Sequence, residues 1–334
     1  MIGASGHYGR ALKAIAESDL AFLSGVAFVH PEEPRDAVRR HAAYTESTKE
    51  YLSAEELLDQ GELDVVIVNP PYGWNARWTI AAAERGIAIY SEKPLATTLE
   101  DLERLRSAVL QAGVPLVGMY EYRSDPVVYM AAKLVRSGRI GRPRLAFGQK
   151  SYKFGPERRP KWYADHTLYG GTIPWVAIHA IDWTRFIVGE EFVAVSAAQS
   201  PHGKSPLPRV DVAGTLQLES ASGFCAAVTF DYLRPSGART HGNDRFRIVG
   251  DDGELAGSVP ERTLELTTDQ GVEVVDLEEA PFLFERMLKA LWGRDSLPMS
   301  AEDAIASTQV ALWAREAADQ RRRLDIPSLK RQTD

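Results

Sequence analysis

Residues 64–96 constrain the fold more than any other stretch. Asp64-Val65-Val66-Ile67-Val68 is a short β-branched run, the composition of a parallel strand buried on both faces. Residues 75–85 contain no glycine or proline and run to Gly86, a residue type suited to the left-handed position after a helix end. Residues 87–90 return as the next strand, which leaves Glu92-Lys93-Pro94 at a strand's carboxyl end. In open α/β sheets, ligands bind in the crevice outside those ends. Lys93, with the proline after it restricting its backbone, is therefore a candidate for chemistry; the plain alternative is an exposed lysine following a strand.

The run Glu92-Lys93-Pro94-Leu95-Ala96, preceded by a helix ending in Ala-x-x-x-Gly, resembles the glucose–fructose oxidoreductase / inositol dehydrogenase (Gfo/Idh/MocA) family. The resemblance implies that Lys93 touches both the nicotinamide end of the cofactor and the substrate hydroxyl. It also implies a cis Lys93-Pro94 bond. A length of 334 residues suits two domains, and a 44% apolar, 25% charged composition is that of a soluble globular protein. The net charge of −7, with no basic stripe, argues against nucleic acid. Cys225 is the one cysteine, which excludes an intrachain disulfide and a cysteine-rich metal site. The opening residues lack the pattern of a secretory leader, and no apolar run approaches the length of a membrane span, so a cytoplasmic protein is expected.

Gly3-Ala4-Ser5-Gly6-His7-Tyr8-Gly9-Arg10 reads as a glycine-rich turn opening a helix, with Tyr8, Leu12 and Ile15 at helical spacing. Such a turn lets the backbone approach a pyrophosphate resting on the helix N-terminus. The spacing G-x-x-G-x-x-G is one residue longer than the usual fingerprint, and a ligand-free strand-to-helix turn is the competing reading. Only Met1 and Ile2 precede Gly3, so the first strand is expected to be short. The next strand, near residues 25–29, ends at His30, where an acid would bind the adenosine ribose. His30, with Arg35 farther on, leaves NAD and NADP equally open. The candidate cofactor set is Gly3, Ser5, Gly6, His7, Tyr8, Gly9, His30, Asn69, Pro70, Glu92 and Lys93.

Capping boxes at Ser53-Ala54-Glu55-Glu56 and Thr97-Thr98-Leu99-Glu100 mark two more helix starts. Five strands alternating with helices over residues 1–120 predict a doubly wound Rossmann domain with a parallel sheet. From residue 121 to 334 the texture changes. Segments 210–219, 223–232, 245–249, 263–268 and 272–277 have strand composition without regular helices between them, which predicts an α+β domain with an open, largely antiparallel sheet. A helix follows Pro281, carrying Phe284, Met287 and Leu291. The last helix, about 300–323, shows Ala306, Val310, Trp313 and Ala317 on one face. The resemblance implies that this second sheet covers the cofactor and mediates a homodimer or homotetramer.

Gly170-Gly171, then Trp175, His179 and Asp182, form the other matching stretch. As one helix from Pro174 to Gly189, it places Trp175, His179, Asp182 and Phe186 on a single stripe. The family pattern is a glycine pair followed by Asp-x-x-x-His-x-x-Asp; here Trp175 replaces the first aspartate. The resemblance makes His179 the group that takes the hydroxyl proton; with the motif's aspartate missing, Asp182 or Lys93 is left to orient it and Trp175 offers an apolar platform, against the plain alternatives of a core histidine and a core aromatic. Arg123, in Tyr120-Glu121-Tyr122-Arg123, is a candidate for shaping the site between the domains or for bracing them. Tyr152, Lys161 and Trp162 belong to a stretch rich in cations and aromatics that suits a polyol or an anion, and His241 lies in a polar loop with too few partners for a metal. Lys93 and His179 are thus the catalytic candidates. The substrate set is Lys93, Arg123, Tyr152, Lys161, Trp162, Trp175, His179, Asp182 and His241, with no metal.

The expected activity is hydride transfer between NAD or NADP and a hydroxyl carbon of a sugar, cyclitol or related polyol. The alternatives are a regulatory protein that keeps the fold without turnover, and an NAD-dependent glycosidase.

Overall fold

The computed structural model describes residues 1–200 and 210–329, and the chain divides into two compact units. The first unit comprises Met1–Met119, Pro160–Gly170 and Pro281–Thr308. It holds two groups of parallel strands: β1 (Gly25–Ala27) beside β2 (Lys49–Tyr51), and β3 (Val65–Val68), β4 (Ala88–Ser91) and β5 (Leu116–Gly118) in sequence. Ile2 joins the groups, bridging Ala27 on one side and Val68 on the other, both in parallel sense. Its N–H donates to the Ile67 carbonyl at 2.8 Å and its carbonyl accepts from the Asn69 N–H at 2.8 Å. The order is therefore β2-β1-Ile2-β3-β4-β5, and it reverses at Ile2. That reversal is the switch point at which doubly wound sheets bind ligands, and the glycine-rich turn begins one residue later.

The β-branched run behaves as its composition requires. Val66 and Val68 are fully buried and Ile67 nearly so, each contributing about 1.5–3 kcal/mol relative to exposure. The first strand is as short as expected. β2 is an addition: Lys49-Glu50-Tyr51 is an exposed, polar edge strand with no apolar run to betray it. Ser53 caps its helix as read, accepting from the Glu56 N–H at 3.1 Å. The second box is displaced by one residue. Thr98, not Thr97, caps Leu99–Ala112, accepting from the Asp101 N–H at 3.1 Å, because Thr97 is drawn inside the fold and is 5% exposed.

The second unit comprises Tyr120–Arg159, the described part of 171–280, and the chain from Gln309 onward. Its core is a nine-stranded sheet. The strands are β6 (Pro143–Ser151), β7 (Phe192–Ser200), β8 (Ala213–Ser220), β9 (Cys225–Asp231), β10 (Arg245–Gly250), β11 (Gly253–Ser258), β12 (Thr263–Thr268), β13 (Gly271–Val274) and β14 (Leu324–Asp325). They run in the order β13-β12-β11-β10-β6-β9-β8-β7-β14. Only the β6–β9 pair is parallel, so the sheet is largely antiparallel as expected. β6, β7, β11 and β14 escaped the sequence reading. β6 is central yet starts at a proline and turns Ala146, Gly148 and Lys150 inward, which is no apolar alternation. The helix Ile178–Val188 lies on this strand at a distance where a Cβ on Gly148 would make ordinary contact, 3.5 Å from Ala180 Cβ and 3.6 Å from Trp183 Nε1.

That helix runs on from Pro174, but its first turn is widened. Residues Ile173–Ala177 form a π-helical turn, and regular α-helix starts only at Ile178 and ends at Gly189 in the left-handed region, φ 71°. The single stripe expected from Trp175 to Phe186 is thus broken by a widened turn before His179. Such turns recur at functional sites because they re-aim a side chain without ending the helix.

Candidate active site

In the first unit the glycine turn is fastened to the strand ends beside it. The Gly6 N–H donates to Asn69 Oδ1 at 2.8 Å, and the Ser5 N–H to the Asn69 carbonyl at 2.7 Å. Asn69 is fully buried, its amide also reaching Met119 Sδ at 3.2 Å. Gly3 has φ 72°, and a Cβ there would sit 2.6 Å from Pro70 Cα, so only glycine fits. At Gly6 a Cβ would collide with the Glu92 carboxylate, whereas Gly9 has nothing within 4 Å.

Glu92 is fully buried, and His7 closes over it. The His7 backbone N–H donates to Glu92 Oε2, its Nδ1 lies 2.9 Å from the same oxygen, and the Lys93 N–H donates to Oε1 at 3.0 Å. Burial alone would push this carboxyl up, but the His7 charge and hydrogen bonds, with Lys93 adjacent, hold it below the usual carboxylate range. Glu92 thereby ties the glycine turn to the segment that carries Lys93. Asn75, read from sequence only as a helix start, braces that segment: its Nδ2 donates to the Glu92 carbonyl at 3.0 Å and the Pro94 carbonyl at 2.8 Å. Thr308 Oγ1 accepts from the Leu95 N–H at 3.1 Å. Lys93 itself is fully buried, and the Lys93-Pro94 bond is cis.

His30 does not supply an acid, but a nearby glutamate does. Glu33 is 6% exposed; its Oε2 accepts from the Val29 N–H at 2.9 Å, and its Oε1 lies 3.4 Å from Ser5 Oγ. Burial pushes its carboxyl up, against hydrogen bonds from the backbone of Ala4, Val29 and His30 and from Ser5 that pull it down. His30 packs beside Trp74, 5.7 Å between ring centroids, and its Nδ1 accepts from the Glu32 N–H. Tyr8 opens the helix Tyr8–Ala16, whose first turn has no acidic residue. The helix's own first turn carries no acidic residue, Gly9 is uncrowded and exposed Arg10 follows it, which suits a dinucleotide's pyrophosphate, while the Glu92 carboxylate takes the backbone N–H of the capping residue His7. Lys161 and Trp162 also belong to this unit. Lys161 is exposed, its backbone N–H donating to Glu32 Oε1, and Trp162 packs edge-on against Tyr72 at 4.9 Å.

In the second unit His179 is 8% exposed and Trp175 5% exposed. Asp182 takes a buried bidentate pair with Arg123, with Nη2–Oδ1 at 2.6 Å and Nε–Oδ2 at 2.9 Å. The Arg123 guanidinium also lies over the rings of Phe186 and Tyr120, at 5.3 and 5.6 Å. Arg123 therefore braces the His179 helix. Tyr152 packs at a tilt against His241, 5.3 Å between ring centroids, and meets Tyr232 edge-on at 5.0 Å. Three residues that spacing never singled out complete the picture: Tyr122 against His179, with Lys150 and Asp244 on the Tyr122 hydroxyl. Lys150 and Asp244 are joined only by the pairing of β6 with the chain entering β10, so no local motif announces them.

A Rossmann unit with a buried lysine at a strand end, in a chain whose second unit is a broad mixed sheet, defines a dinucleotide-binding oxidoreductase fold. The comparisons agree. Residues 1–120 match the model of the oxidoreductase family with an NAD-binding Rossmann fold, and residues 128–256 match the GFO/IDH/MocA C-terminal domain. A solved structure from Thermotoga maritima, described provisionally as an oxidoreductase, is 35% identical with a TM-score of 0.91, covering 97% of this chain and 98% of that one. This chain belongs to the GFO/IDH/MocA family. Levoglucosan dehydrogenase of Pseudarthrobacter phenanthrenivorans is 33% identical over 178 residues, 52% of this chain and 44% of that protein. Inositol 2-dehydrogenase 2 of Saccharopolyspora erythraea is 31% identical over 185 residues, 54% of this chain and 52% of that protein. The chain thus spans about half the length of these two curated relatives. Among the described residues no helix is long and apolar enough to cross a membrane.

Proposed function

We propose that this chain is an NAD(P)-dependent dehydrogenase or reductase acting on a CH–OH carbon of a sugar, cyclitol or related polyol. The observation that carries the reading is Lys93: an ammonium buried at the carboxyl end of a strand in a switch-point sheet, its neighbours braced by Asn75 and Thr308. Burying a lysine this way costs free energy that solubility does not require. The named activities of the levoglucosan and inositol dehydrogenases support the substrate class.

A bound nicotinamide supplies the hydride acceptor or donor. Lys93 donates a hydrogen bond to the substrate oxygen and favours its alkoxide form. His179 takes that oxygen's proton in oxidation and returns it in reduction, a role worth roughly 10²–10⁴ in rate. Arg123 and Asp182 hold the histidine's helix in place, and Trp175, Tyr152, Lys161, Trp162 and His241 contribute to substrate contact. A cytoplasmic location and a homodimer or homotetramer, formed through the outer face of the nine-stranded sheet, belong to the same proposal.

The test is a polyol and sugar panel with NAD⁺ and NADP⁺, followed by variants on whichever substrate turns over. Lys93→Met and His179→Ala are each expected to lower kcat by about 10²–10⁴, with cofactor binding in calorimetry persisting in His179→Ala. Unchanged turnover in both would refute the assignment.

A further inference from the structure

With tryptophan at position 175, His179 lacks the aspartate one turn earlier that the family motif provides. The second unit offers a different neighbour. The Tyr122 ring meets His179 edge-on, with centroids 5.0 Å apart and planes at 64°. Tyr122 also packs against fully buried Trp183 at 5.1 Å. Its hydroxyl donates to Asp244 Oδ2 at 2.5 Å and accepts from Lys150 Nζ at 2.6 Å, and Lys150 donates to the same Asp244 oxygen at 2.7 Å. Lys150 and Asp244 are 5% and 4% exposed. The ammonium lies 4.7 Å from the Tyr122 ring centroid and 5.0 Å from that of Tyr152. Asp244 is itself held by its backbone: its carbonyl accepts from the Val259 N–H at 3.0 Å, and the preceding Asn243 N–H donates to the Ser151 carbonyl at 2.7 Å.

We propose that Tyr122, locked by Lys150 and Asp244, is the positioning residue that sets the orientation and proton affinity of His179. The proposal rests on the catalytic reading of His179 given above. Charge-assisted hydrogen bonds from two sides fix the phenol, and a fixed phenol gives the imidazole one packing solution. Of the other charged groups on the His179 helix and the elements packed against it, Arg123 pairs with Asp182, Arg185 with Glu191, Lys133 with Glu278 and Arg144 with Asp251, Arg136 donates to the Phe186 carbonyl, Asp231 accepts from Ser151, and buried Glu121 stands beside Tyr122 on the same turn. Asp125, farther along the same chain segment, caps the helix Pro126–Arg136, and its charge is felt by Asp244 and offset by Arg262. Lys150 and Asp244 are the opposed charges that reach the imidazole through Tyr122. Asp244 Oδ1 is buried without a hydrogen-bond partner among the described residues, a leftover acceptor of the kind that marks functional or hydrated positions.

Because the pair is balanced, removing either charge has a signed consequence. Lys150→Met leaves a lone carboxylate near the imidazole and raises its proton affinity; Asp244→Asn leaves a lone ammonium and lowers it. Histidine-labelled full-length protein, with His179 assigned by loss of its signal in His179→Asn, gives the titration midpoint by NMR without need of turnover. The expected shifts are about half a pH unit or more, upward for Lys150→Met and downward for Asp244→Asn, with the double variant back near wild type. Tyr122→Phe is expected to lower kcat about tenfold with KM unchanged. Shifts of the same sign, or none in folded variants, overturn the proposal. Where a single variant does not fold, the double variant and Tyr122→Phe decide: a double variant displaced by more than half a unit, or a Tyr122→Phe kcat at wild-type level, overturns it. Signed shifts in a protein that turns over no polyol would keep the positioning and reject the catalytic reading, whereas turnover without shifts would do the reverse.

Discussion

Glu33 illustrates how a single buried group trades stability against placement. Its carboxylate lies beneath the glycine turn, and burial raises its folded pKa above the unfolded value. The sign follows from linkage: the contribution is fully favourable below the unfolded value, near 4.5, and is lost as pH rises through the folded pKa. At neutral pH the group therefore destabilises the cofactor-free protein. Glu33→Gln keeps the shape and one acceptor while removing the charge. Its melting temperature at pH 7.5 is expected to rise by about 2–4 °C, with the difference vanishing near pH 4. A lower melting temperature at pH 7.5 would mean that the hydrogen bonds to the carboxylate outweigh its burial. Glu33 was illegible in sequence because it follows the strand by several residues and turns back, its N–H donating to the His30 carbonyl at 3.3 Å. The placement of Lys93 at a strand end and of the glycine turn beside the sheet was legible because both are set by local sequence. Tyr122, Lys150 and Asp244 meet across 28 and 94 residues of chain, which no spacing rule reaches.

At the scale of elements, β12 was legible from its apolar alternation, while polar β2 and proline-led β6 gave no such signal. Register was not legible at all, and register is what pairs Phe246 with Gly257 across β10 and β11 and Phe230 with Gly214 across β8 and β9. In both pairs the aromatic ring lies over the glycine opposite. A Cβ on Gly257 would stand 2.2 Å from Phe246 Cζ, and one on Gly214 would stand 2.3 Å from Phe230 Cζ. The glycines make room for large, buried rings that fill the interior face. Gly257→Ala is expected to cost about 1–3 kcal/mol, read as a fall in the urea midpoint at unchanged m-value. Adding Phe246→Leu should recover part of the loss, because the steric conflict is with the ring alone. If Gly257→Ala melts like the wild type, the ring can move aside and the register carries no such constraint.

For the whole molecule, the division between a parallel sheet and a broad, largely antiparallel one was legible from the change in texture near residue 120. How much of the second sheet faces water was not. Helices pack on the side of β6 that presents Ala146 and Gly148. On the opposite side Phe147 is 46% exposed, flanked in register by Arg247 on β10 and Ala227 on β9. Exposed Cys225 and Val193 share the uncovered strands. A sheet face left uncovered in this way suits a second copy of the same surface, and a two-fold contact presents every substitution twice. One charge at the centre of the face should therefore act as two facing like charges. The wild-type protein is expected to run as a dimer or larger species by size-exclusion chromatography with light scattering at micromolar concentration, and Phe147→Asp as a monomer, its Kd raised by roughly 10²-fold. Phe147 is far in sequence from the candidate catalytic groups and points away from the helix that carries His179, so the monomeric variant should keep the far-ultraviolet circular dichroism and cofactor affinity of the parent. A wild-type monomer at those concentrations would sink the assembly through this face and leave Phe147 as an ordinary exposed aromatic.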